Sequence, residues 1–153
     1  MIEFLQNYTY KSEVPPEHFA HMTDWHLSWC KREPAVTFSL VLIDFKDPAT
    51  LGSVLGAKYA MDLLRRIGNE IHSTLRTTDL LCRTRVSCFW VLLPNGEPDI
   101  VLTKLAPILA AAKEEGLDAT KLHVGKLSIS QEISGDVTAA ELFLRLKTVG
   151  SLH

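Results

Sequence analysis

The sequence predicts an α/β sandwich with a mixed sheet flanked by helices, and three observations carry that reading. Residues 36–45 are almost continuously apolar and partly β-branched, the pattern of a strand covered on both faces. Ala60, Leu64, Ile67, Ile71 and Leu75 recur at spacings of four and three, which is the apolar stripe of a helix lying on a core. Residues 79–86 and 89–93 read as two short strands with so few residues between them that a hairpin is expected. With the remaining segments the order becomes helix, strand, long helix, hairpin, helix, strand, helix.

Composition agrees with one globular domain. The chain has 153 residues, 46% of them apolar and 22% charged, which excludes disordered, collagen-like and coiled-coil classes. Sixteen basic against 18 acidic residues give a net charge of −2, so a bulk binder of nucleic acid or of a membrane surface is not indicated. No basic start followed by an apolar run opens the chain, and no stretch approaches the length of a membrane span. Cys30, Cys82 and Cys88 are odd in number and lack zinc spacing, so they read as thiols of a reducing, cytoplasmic compartment.

The elements follow in order. The first 14 residues lack clear periodicity. Pro15 and Pro16 open a helix carrying Phe19, Met22, Trp25 or His26, and Trp29 at helical spacing, and Pro34 ends it. Residues 1–34 are therefore assigned as an N-terminal helical extension and 35–153 as the main domain. Trp25 and Trp29 are expected to pin this helix to the sheet or to dock a partner. Residues 98–115 read as a helix that Pro107 should kink or divide. Residues 122–124 and 127–129 alternate out of phase, which a bulge at Gly125 and Lys126 would reconcile. Thr138 and Glu141 form a capping box opening a last helix that Gly150 can close. His18, His21 and His26 cluster, but without a four-ligand pattern they read as solvated or packing histidines, so no metal is assigned.

The stretch from Leu42 to Pro94 resembles a GGDEF domain, the family of cyclic di-GMP synthases and their inactive relatives. The words that carry the resemblance are Leu42-Ile43-Asp44, Gly56, the helix positions Leu64, Ile67 and Ile71, the run from Leu75 to Arg83, and Phe89-Trp90-Val91-Leu92-Leu93-Pro94. Lys147 and Gly150 stand where the family has its closing Lys-x-x-Gly. The resemblance implies a central mixed, mainly antiparallel five-stranded sheet flanked by helices, like the palm of nucleotidyl cyclases.

The same resemblance implies that no catalysis survives, and no catalytic residue or cofactor is assigned. Joining two GTP molecules needs metal ions on the attacking and leaving oxygens, and hard cations need carboxylates. The signature turn reads Arg85-Val86-Ser87-Cys88-Phe89, so Ser87 and Cys88 replace the acidic residues. Asp44 of the first-strand pair remains, but Lys46 replaces its companion. Gly52 and Met61 stand at the guanine-contacting positions and Ser151 at a phosphate-contacting arginine. Arg85 and Val86 replace the two turn glycines.

Arg76-Thr77-Thr78-Asp79 is an R-x-x-D word at the spacing of the family's inhibitory product site. The resemblance implies that Arg76 and Asp79 bind cyclic di-GMP, with Arg85 as a further phosphate contact. A guanidinium donates to guanine O6 and N7, and a carboxylate accepts from N1–H and the 2-amino group. Arg and Asp three apart also form a plain surface ion pair. Arg83 is read as part of a solvated strand face. The resulting expectation is an inactive receptor for cyclic di-GMP that relays occupancy to a protein partner or linked domain, with a homodimer as one arrangement. Receptors in bacterial exopolysaccharide secretion and biofilm formation are the analogy. The alternative is a domain that has lost nucleotide binding and serves dimerisation or protein interaction.

Overall fold

A computed structural model describes residues 13–45, 53, 56–85, 87–114 and 122–149. Within them the elements are α1 (Pro16–Arg32), β1 (Phe38–Phe45), α2 (Ala57–Thr74), β2 (Leu80–Arg85), β3 (Cys88–Pro94), α3 (Pro98–Glu114), β4 (Leu122–Ile129), α4 (Gln131–Ser134) and α5 (Ala139–Val149). The sheet order is β2-β3-β1-β4. Every strand pair is antiparallel, and the described residues hold four strands rather than the five expected. Among the described residues, the one parallel pairing is an isolated bridge between Glu13 and Leu81 at the edge of β2.

Alternation along β1 divides the core. Val41, Ile43 and Phe45 face α2 and α3 together with Leu81, Phe89, Val91 and Leu93. Phe38, Leu40 and Leu42 face the opposite layer with Phe19, Leu27, Cys30, Trp90, Leu142 and Leu146. Both faces of β1 are therefore covered, as its apolar run requires. Phe19, Leu27 and Cys30 place α1 in the same core as β1, across the residue 34 boundary drawn from sequence.

Three local expectations are corrected. β4 has no bulge: its register with β1 runs unbroken from Phe38↔Ile129 to Phe45↔Leu122. Its apolar phase changes because its two ends serve different layers. Leu122 packs with the α2/α3 core, Leu127 and Ile129 with the other. The sheet's irregularity lies instead between Arg83 and Arg85 of β2. Pro107 does not divide its helix, which runs whole from Pro98 to Glu114. Finally, α1 is pinned by Phe19, Thr23, His26, Leu27 and Cys30, while Trp25 and Trp29 are exposed. Two polar groups enter the buried face because each is satisfied inside the helix: Thr23 Oγ1 donates to the Phe19 carbonyl and His26 Nδ1 bonds the Met22 carbonyl. As expected, the stripe on α2 is buried, and Glu141 N–H donates to Thr138 Oγ1 at 3.2 Å. Gly150 lies outside the described residues.

Candidate functional site

Arg76 sits in the short connection between α2 and β2, and Asp79 immediately precedes β2. The structure brings the two together. The Arg76 backbone N–H donates to Asp79 Oδ2 at 2.7 Å, and Nη2 donates to Oδ1 at 2.9 Å. Nε lies 3.2 Å from both carboxylate oxygens. The Asp79 side chain is only 2% exposed and the Arg76 side chain 52%. Both oxygens of Asp79 are thus occupied by its own neighbour. The hydrogen bond from Arg76 onto this carboxylate raises the already high pKa of the guanidinium.

A turn after β3 completes the support. Arg76 Nη2 donates to the Pro94 carbonyl at 2.6 Å. Asn95 takes a positive φ of 49°, which asparagine tolerates better than most residues. Its Oδ1 accepts from the Thr37 backbone N–H, and its own N–H donates to the Thr37 carbonyl. Gly96 leaves room for the guanidinium, because a Cβ there would lie 3.0 Å from Arg76 Nη2 and 2.6 Å from Leu93 Cβ. Arg76 and Asp79 line a cavity of about 220 Å³ with Leu93, Glu97, Ile100 and Val101. Among the described residues, Arg76 Nη1 has no partner, so its donors remain available.

Arg85 is not part of this cluster. It ends β2, about 20 Å along the strand from Asp79 at strand rise. There Nη2 donates to Asp44 Oδ1 at 2.8 Å, with the carboxylate side chain 12% exposed and the guanidinium 50%. Asp44 pairs in register with Cys88 at the end of β3. Ser87 is fully buried, and its Oγ has no partner among the described residues. Cys88 is buried, and burial pushes its thiol above the usual pKa, which opposes the thiolate form that metals bind. Cys82 is pushed up to about 11, first by burial. Lys46, Gly52, Val86 and Ser151 lie outside the described residues, and Met61 is exposed.

Arg83 departs from the solvated face expected of it. Its guanidinium lies 5.1 Å from the Phe89 ring centroid, and Nε is 3.4 Å from Glu13 Oε1, an ion pair rather than a hydrogen bond. It crosses α2 at Gly68, where a Cβ would collide with Arg83 Nη2. His18 and His21 are exposed while His26 is buried, and no group of three metal-binding side chains occurs among the described residues. No helix among them is long and apolar enough to cross a membrane.

Sequence reasoning singled out Arg76 and Asp79, which the structure pairs, but missed the turn that braces Arg76. Pro94-Asn95-Gly96 after an apolar run is a readable turn signal. Its hydrogen bond to Arg76 is a tertiary fact no local pattern announces.

The family described as "Diguanylate cyclase, GGDEF domain" matches residues 17–134, more than half of the chain. No curated protein matches it. Among solved structures, the GGDEF domain of DgcB from Caulobacter crescentus in complex with c-di-GMP is similar at 12% identity. It covers 88% of this chain and 81% of its own, with a TM-score of 0.62. A microbial GGDEF domain described for a novel interaction mode with cyclic di-GMP matches at 18% identity, over 88% and 82%, with a TM-score of 0.59. The diguanylate cyclase SiaD in complex with its activator SiaC from Pseudomonas aeruginosa matches at 17%, over 87% of this chain and 52% of that one, with a TM-score of 0.56.

Proposed function

This chain belongs to the GGDEF domain family, and from that premise we propose that it has given up synthesis and serves as a receptor for cyclic di-GMP at the Arg76 cavity. The observation that carries the binding half is the placement of Arg76. Its guanidinium is half-exposed at a cavity, anchored by Asp79 and Pro94, with Nη1 left to donate to guanine O6 or N7 or to a phosphate oxygen. Asp79 acts as the positioning residue, because its oxygens are already engaged. The cavity is below the roughly 300 Å³ of pockets that enclose a whole drug-sized ligand. It therefore takes one base of the dinucleotide, with the rest lying outside.

Inactivity rests on the other end of the sheet. Arg85 holds the Asp44 carboxylate where a metal would need it, and Ser87 and Cys88 offer no hard anionic oxygen nearby. A fixed guanidinium cannot bridge attacking and leaving oxygens as a pair of cations does. Relay to a protein partner follows from the receptor role, and a neighbouring fold is known with a protein activator bound.

Two assays test this. Incubation with GTP and magnesium or manganese should yield no cyclic di-GMP above a no-protein control. Equilibrium titration should give binding of cyclic di-GMP and none of GTP at matched concentration. Product formation abolished by Asp44→Ala would overturn the first half; silence in the titration would overturn the second.

A further inference from the structure

Two carboxylates line the Arg76 cavity, and only one of them is spent on the ion pair. Both oxygens of Asp79 are taken by Arg76. Glu97 lines the same cavity from the turn between β3 and α3 and is exposed. Among the described residues its carboxylate has neither an ion pair nor a hydrogen bond. It does not pair with Arg76 either, so a gap separates this open acceptor from the open Nη1 donor. The rest of the lining is largely apolar. Leu93 and Val101 are buried in the core, but Ile100 is 55% exposed. A large apolar side chain left open beside two polar groups is a surface on which a flat ring can lie.

We propose that Glu97 is the specificity-determining residue of this cavity and that the group it admits is a guanine base. The inference rests on the receptor reading above and goes beyond it by choosing between base and phosphate. Charge makes that choice. Asp79 neutralises Arg76, and Glu97 adds a further negative charge, so a phosphate entering the cavity is repelled where a neutral base is not. The order of donors and acceptors then selects among bases. Along one edge guanine presents O6, then N1–H, then the 2-amino group. Arg76 Nη1 donates to O6, and the Glu97 carboxylate accepts from N1–H and the 2-amino group. Adenine turns a 6-amino donor toward Nη1 and the N1 lone pair toward Glu97, so both contacts become repulsive. The guanine ring lies against Ile100, and the phosphates stay outside. Asp79 is left to hold the guanidinium in place.

The test titrates the full chain with cyclic di-GMP and, separately, with cyclic di-AMP, comparing wild type with Glu97→Gln. Wild type should favour the guanine ligand by about tenfold to a hundredfold. Glu97→Gln keeps the size of the side chain and puts an amide donor where one acceptor stood. It should bind cyclic di-GMP about tenfold more weakly and narrow the ratio between the two ligands. A carboxylate that only sat near the site gives the opposite sign, because removing a negative charge helps a doubly charged anion to bind. Tm should hardly change, since Glu97 is exposed. If Glu97→Gln binds cyclic di-GMP as tightly as wild type, or more tightly, the role of Glu97 is overturned and the receptor reading stands. Wild-type protein that binds both ligands alike overturns the choice of guanine. Wild-type protein that binds neither overturns this inference together with the receptor reading.

Discussion

Arg76 and Asp79 meet at one end of the sheet, three residues apart in sequence, while Arg85 and Asp44 meet at the other end, 41 residues apart. In the first pair the carboxylate is buried, and the arginine is braced by a carbonyl from the turn after β3 and borders a cavity. In the second the arginine lies across the Asp44 carboxylate, beside Cys88 at the end of the β2/β3 hairpin. The same two side chains thus present a donor outward in one place and cap an acceptor in the other. What separates them is which partner is buried and what else touches the guanidinium, not the pair itself.

The comparison breaks most visibly at Asp79. Asp79→Ala removes the buried acceptor of the Arg76 backbone and side-chain bonds. It should cost about 2 kcal/mol in chemical denaturation, discounted for the half-exposed arginine. Gly96→Ala comes next. A Cβ at 2.6 Å from Leu93 Cβ and 3.0 Å from Arg76 Nη2 forces the turn or the guanidinium to move. A loss of about 1–2 kcal/mol and a several-fold weaker ligand titration are expected. Arg85→Ala should change stability by less than about 1 kcal/mol, because that pair is half-exposed, and should leave cyclic di-GMP binding as it was. It should also leave synthesis absent, since freeing Asp44 supplies one carboxylate where several are needed.

The smallest effect is in pH. Burial holds His26 and His72 below the ordinary value of 6.5. The unfolded chain therefore takes up protons that the folded chain resists as pH falls through about 6.5. Their contribution is fully present above that value and is lost toward the depressed folded pKa. Tm measured from about pH 7.5 down to about 5.5 should fall. His26→Gln should flatten part of that slope if its burial is the cause.

Periodicity made the layers legible: the α2 stripe, the doubly covered β1 and the β2/β3 hairpin all stand where alternation and spacing put them. It misled on α1, where Trp25 and Trp29 share helical spacing with Phe19 and Met22. Hydrophobicity alone cannot tell an outward seam from the inward one that Thr23 and His26 join through their own hydrogen bonds. It misled on β4 because one strand serves two layers. At the candidate site, Arg76 and Asp79 were readable because their pairing is local. The reach of Arg76 to Pro94 and of Arg85 to Asp44 depends on strand register, which no single segment encodes.

The receptor claim is tested most directly by isothermal titration of cyclic di-GMP into wild-type protein, Arg76→Ala and Arg85→Ala side by side. Wild type and Arg85→Ala should bind alike. Arg76→Ala should lose about tenfold to a hundredfold in affinity, the cost of a bidentate base contact of about 1–3 kcal/mol. No heat with wild-type protein, or equal binding by Arg76→Ala, would contradict the assignment.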